Sequence, residues 1–148
     1  MALKQFKIGS QQILADAIAS IGGQNLITLY VPTLSASNYQ TLFRDTTAAA
    51  YQVTSGKTLY LFGAMYTGLG ANANAQELGY ADNSVNNSAS APTNNKAFTA
   101  GNGSLIMAAA SATVYQIPLW LGVPATKFPY VRMAATALSM IVFWGFEE

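Results

Sequence analysis

The sequence predicts an all-β protein, an antiparallel β-sandwich preceded by an N-terminal arm or short helix. Three observations carry this expectation. From Gln24 onward, β-branched and aromatic runs are separated by Pro, Gly and Ser-Gly turn signals. Helical spacing of apolar residues is confined to the stretch before them. Two corners also overlay, Val53-Thr54-Ser55-Gly56-Lys57 with Tyr60 following, and Val123-Pro124-Ala125-Thr126-Lys127 with Tyr130 following. With 148 residues the chain is expected to form one body: residues 1–23 as arm or helix, and 24–148 as the sandwich with a long loop at 67–104.

In chain order, Leu3, Lys4, Phe6, Lys7 and Ile8 lie before any element and read as an arm. Two cations flanked by three apolar residues suit a grooved, acidic neighbour. Ser10 is positioned as an N-cap and Gly22-Gly23 as a stop for a helix with Ile13, Leu14, Ala17, Ile18 and Ile21 on one face. Ile13, Ala15, Ala17, Ala19 and Ile21 also alternate with period two, so an extended arm stays open.

Strands are expected at Leu26–Val31, at Ala49–Val53 and Thr58–Tyr66 on either side of the first corner, and at Tyr115–Val123 and Phe128–Met133 around the second. A last strand covers Leu138–Phe146. The matching corners suggest two similar hairpin halves, although the same chemistry suits any tight turn. Leu105 to Val123 is uncharged and long enough to cross a bilayer. Its Gln116 and Pro118, with the β-branched and aromatic content of its second half, favour a buried strand after a small-residue segment, and no membrane association is expected.

Residues 67–104 are dominated by Asn, Ser, Gly and Ala, with one short strand signal at Glu77–Ala81. Such a stretch is either an intermolecular surface or a mobile crossover between sheets.

The chain has no His and no Cys, and charged residues make up only 9% of it, so the usual general bases, metal ligands and thiol nucleophiles are missing. A disulfide and a zinc site are excluded, and the lack of Cys fits assembly in a reducing compartment. The net charge of +1 leaves no field for nucleic acid. The carboxylates Asp16, Asp45, Glu77, Asp82, Glu147 and Glu148 show no spacing of an acid/base pair or a calcium loop. Gly68 with Gly70, and Gly101 with Gly103, lack the lysine a phosphate loop needs. No cofactor and no catalytic residue are expected.

Aromatic residues are the stronger signal. On the last strand Val142 and Trp144 share one face with Leu138 and Met140, while Ser139, Ile141, Phe143 and Gly145 share the other. Both faces are largely apolar, so the strand needs cover from its own loops or from another subunit. Arg132, alone in an apolar strand, either faces solvent or pairs with a carboxylate across an interface. Trp144, Phe146, Arg132 and Tyr80 join the arm residues as interface candidates.

The arm, the two corners, the Asn/Ser/Ala loop and the closing strand ending in Gly145-Phe146-Glu147-Glu148 together resemble capsid cement (decoration) proteins of tailed bacteriophages, of the jelly-roll or β-sandwich type. The resemblance implies a structural virion protein on the outer capsid surface, a homotrimer that joins subunits of the major capsid protein and stabilises the shell. The alternative is a carbohydrate- or receptor-binding module of a phage tail fibre, using the 67–104 loop with Tyr80.

Overall fold

The computed structural model describes residues 26–31, 37–44, 49–69, 76–98, 114–133 and 138–148. Among these residues there is no helix, and the strands are β1 (Ile27–Val31), β2 (Tyr39–Thr41), β3 (Phe43–Arg44), β4 (Leu59–Leu69), β5 (Gln76–Ala81), β6 (Lys96–Ala97), β7 (Val114–Val123), β8 (Phe128–Met133) and β9 (Leu138–Glu147). The arm residues Leu3, Lys4, Phe6, Lys7 and Ile8, and the helix-or-arm stretch at 10–23, lie outside the described residues.

Two antiparallel sheets form, one in the order β3-β1-β9-β4-β7 and one in the order β2-β8-β5-β6. The pairing is nested: β1 pairs with β9, β2 with β8, β4 with β7 and β5 with β6. The chain is therefore one long hairpin, closed between β5 and β6 and rolled up so that successive strand pairs fall in alternate sheets. That is jelly-roll connectivity, with β3 added at the edge beside β1.

The sheets pack through one core. Ile27, Leu29 and Val31 of β1, Leu59 and Leu61 of β4, Val123 of β7 and Phe143 of β9 meet Leu78 of β5 and Val131 of β8, and Leu42, Tyr51 and Val53 fill the ends. β1 alternates buried and half-buried residues, as period-two side chains on a half-covered strand must. β4 carries an extra residue at Phe62, because Leu61 pairs with Gly145 and Gly63 with the adjacent Trp144. This bulge resets the alternation, so Leu61 and Ala64 are both buried in the core.

The expected all-β sandwich is what forms, with β1, β4, β7, β8 and β9 close to their expected bounds. Two local expectations change. Ala49–Val53 is not a strand; only the bridge between Phe43 and Ala50 forms. Its backbone groups find other partners: Tyr51 N–H donates to the Leu42 carbonyl (2.8 Å), and Val53 N–H to that of Lys127 (3.0 Å). The matching corners are also not two hairpins, since β7 and β8 lie in different sheets and the second corner carries the chain between them. What the corners share is turn chemistry. Each closes with a bond from the lysine N–H to the carbonyl three residues back, to Thr54 at 3.1 Å and to Pro124 at 3.3 Å. Each has positive φ at its third residue, +79° at Gly56 and +63° at Thr126, as in a type II turn. The corners also touch, because Thr126 N–H donates to the Val53 carbonyl at 2.9 Å.

Residues 67–104 contain the end of β4 and all of β5 and β6. Residues 82–95 form an excursion pinned along its length. Asp82 N–H donates to the Thr93 carbonyl (3.0 Å), Thr93 N–H to Asn83 Oδ1 (2.6 Å), and Tyr39 and Ser88 exchange both backbone bonds. The buried Gln40 and Thr41 hold it further: Asn87 N–H donates to Gln40 Oε1 and Val85 N–H to Thr41 Oγ1, both at 2.9 Å.

Candidate functional site

The outer face of the five-stranded sheet is set by the alternation that buries the opposite side. With Leu29, Leu61, Phe143 and Val123 facing the core, Thr28 and Tyr30 of β1, Tyr60 and Phe62 of β4, Trp120 of β7, and Val142, Trp144 and Phe146 of β9 face outward. The rings form a file across three strands. Trp120 stacks on Tyr60 (centroids 6.1 Å), Tyr60 on Phe146 (5.3 Å), and Phe146 meets Phe62 at 6.4 Å. Nearer the other edge, Tyr30 meets Phe43 edge-on at 6.0 Å. Trp120, on the edge strand β7, is 58% exposed, and Tyr60, Phe62, Trp144 and Phe146 are half-buried. No charged side chain stands among these outward residues, whereas a solvent-facing sheet surface ordinarily alternates to polar.

The other sheet presents a different outer face, carrying Glu77, Tyr130 and Arg132, and residues 85–88 pair along the free edge of its strand β2. Tyr130 points away from the core yet is fully buried, its ring lying across Gly79, where a Cβ would come within 2.8 Å of the ring's Cζ. Its hydroxyl donates to Glu77 Oε1 at 2.5 Å and accepts from Asn95 Nδ2 at 3.3 Å. Burial, then the bond to Glu77, push the phenol well above its ordinary range, so it stays protonated. Arg132 lies opposite both Glu77 and Tyr39 in the strand register, its guanidinium 5.2 Å from the Tyr39 ring centroid and its buried Nε without a hydrogen-bond partner.

Glu77, Asp82 and Glu147 each have partners within their own chain. Asp82 accepts from Lys127 Nζ and from Asn94 Nδ2, the latter at 2.6 Å, and the Lys127 bond followed by the Asn94 bond lowers its pKa. Glu147 Oε1 accepts from the Tyr51 hydroxyl (2.6 Å) and Thr54 N–H (2.8 Å). Burial opposes ionisation of Glu147, but the Thr54 and Tyr51 bonds outweigh it and hold the carboxyl below its ordinary value. Tyr51 is raised in turn by burial and by Glu147. Among the described residues no three acidic side chains gather as a metal site.

Trp144 and Phe146, expected at an interface, lie together on the aromatic face. Tyr80 does not: it faces inward from β5 and packs on the core and on Phe98, at 5.5 Å between centroids. Arg132 lies on the opposite sheet from the aromatic file. Tyr60, Phe62 and Trp120 were not singled out from sequence as surface residues, although alternation from the buried Leu59 and Leu61 marks Tyr60. Among the described residues no helix is long and apolar enough to cross a membrane. Comparison with family models, with curated proteins and with solved structures finds no match.

Proposed function

We propose that the protein is a structural virion component, a capsid cement protein that binds the assembled shell from outside as a homo-oligomer, with the trimer as the form the resemblance implies. The observation that carries the reading is the aromatic outer face of the five-stranded sheet, whose described outward side chains carry no charge. Such a surface suits a lasting protein contact, whereas Glu77, Asp82 and Glu147 are committed to ties within the chain. The jelly-roll connectivity is compatible with this role without defining it, since the same architecture serves capsid and lectin domains.

In this role the protein works by mass action. It binds the assembled shell and not its dissociated subunits, so the shell gains the binding free energy. Several weak contacts held by one oligomer add through effective concentration. The Leu3–Ile8 arm, with Lys4 and Lys7, is the proposed contact to the major capsid protein. The tail-fibre alternative loses support, because Tyr80, its aromatic platform, packs inward.

The test is co-sedimentation with capsids stripped of the protein, for the full chain and for a chain lacking residues 1–9. Retention of the full chain, weakened by the truncation with the melting temperature unchanged, is the expected result. Failure of the full chain to sediment with capsids, or binding to a glycan array instead, overturns the reading.

A further inference from the structure

We propose that the outer face of the five-stranded sheet is a subunit contact, where the same face of a second copy of this chain docks. The inference goes beyond the capsid reading and does not depend on it.

Three observations select this occupant. The first is area. Strands of 2, 5, 10, 11 and 10 residues, each rising about 3.4 Å per residue and spaced about 4.8 Å apart, give a face of about 600 Å². That is about the lower end of what one side of a standard stable protein interface buries.

The second is chemistry. Thr28, Tyr30, Tyr60, Phe62, Trp120, Val142, Trp144 and Phe146 offer no charge for an acidic or basic partner to recognise. Rich in aromatics and depleted of charge, the face has the composition of an interface core between identical subunits.

The third is shape. A pleated sheet face is complemented by another sheet face, packed about 10 Å away with interdigitating side chains. The outer face of the four-stranded sheet lacks this character, since Glu77 and Arg132 lie opposite each other on it and the Tyr130 hydroxyl is already bonded to Glu77 and Asn95. Like face against like face therefore uses the surface that each copy already carries, and makes a closed twofold contact, a dimer in place of the trimer that the resemblance implies.

The two tryptophans of the chain, Trp120 and Trp144, are both on this face, so intrinsic fluorescence reports it directly. The experiment follows the full chain by light scattering and tryptophan emission through a dilution series. It is repeated with Trp120→Lys and with Thr28→Lys, which places a charge opposite Trp144 without removing an aromatic ring. Far-UV circular dichroism confirms that each variant is folded.

The expected result is a mass of two protomers that falls to one on dilution, with the emission shifting red over the same concentrations. Each folded variant should associate more weakly by about tenfold or more. A monomer at every concentration overturns the proposal. So does an oligomer that dissociates without any change in emission, or one that Thr28→Lys leaves intact. Capsid retention is measured separately, so failure of the cement reading and failure of this contact remain distinguishable.

Discussion

Gly145→Ala tests the packing of the sandwich where it has least room. Gly145 lies on the inward side of β9, held between Ile27 of β1 and Leu61 of β4. A Cβ there would lie 2.5 Å from the Tyr60 carbonyl oxygen and 3.1 Å from both Leu59 Cδ1 and Leu61 Cδ2. The closest of these neighbours is backbone and cannot rotate away. Because β9 is hydrogen-bonded on both sides, it cannot slide off β4 without straining its ladder to β1. Overpacking in a well-filled core costs about 1–3 kcal/mol, and a clash with fixed backbone belongs at the upper end of that range. For a chain of this length about 3 kcal/mol lowers the melting temperature by about 6–12 °C. Gly122→Ala is the control, since its Cβ would meet nothing closer than Thr58 Cγ2 at 3.6 Å, an ordinary contact. It should be neutral, or stabilise by up to about 1 kcal/mol through the unfolded chain. Thermal and urea unfolding at one fixed protomer concentration measure both. A Gly145→Ala loss below about 1 kcal/mol, or an equal loss for Gly122→Ala, would refute the argument.

Thr126 is a β-branched residue at φ +63°, and its N–H and carbonyl bonds to Val53 and Gln52 are all backbone on its own side. Thr126→Gly should therefore stabilise by about 0.5–1 kcal/mol, the left-handed strain relieved less the extra freedom of unfolded glycine; a lower urea midpoint would contradict this. Glu147 titrates lower folded than its ordinary value of about 4.3, so its stabilisation is complete above that pH and is lost as pH falls through the folded value. Glu147→Gln should cost on the order of 1 kcal/mol at neutral pH, discounted for its partial exposure, and should flatten the acid limb of a stability–pH curve; an unchanged limb would assign that limb to Asp82 and other groups. Lys96 pairs with Tyr80 between β6 and β5. Trypsin should cut there no faster than the whole domain unfolds, and early cleavage of the native chain would show that this pair opens locally.

The strands that were legible in the sequence are those long enough for alternation to register. The last strand shows it best: its period-two pattern assigned Phe143 and Gly145 to one face and Val142 and Trp144 to the other, as they lie. β2 and β3, three and two residues long, carry too little pattern. They exist because β8 and β1 offer them a ladder, which is tertiary context overriding local propensity. Ala49–Val53 fails in the opposite sense. It has strand composition, but the second corner takes the Val53 backbone groups a ladder would have used. The outward aromatic file was half legible: alternation from Leu59 and Leu61 puts Tyr60 and Phe62 on one face, but the bulge at Phe62 breaks the count beyond it, so that Leu61 and Ala64 are both buried.

The nested pairing was the least legible feature, and the corners show why. Lys57 and Lys127 close turns of the same kind, one leading into β4 and the other joining β7 to β8. Positive φ at the third residue satisfies a hairpin between neighbours and a corner between sheets equally well, so turn chemistry fixes where the chain reverses but not what it then pairs with. The partner is set by burial. Val123 lies opposite Leu59 and shares the core with it, whereas Val131, on the strand that follows Val123 directly, faces that core from the other sheet beside Leu78. The rolled arrangement lets both valines be buried in one core while β7 and β8 each keep antiparallel partners in their own sheets. The same rolling leaves Tyr60, Trp120 and Phe146 stacked on an outer face that no turn or strand signal announces.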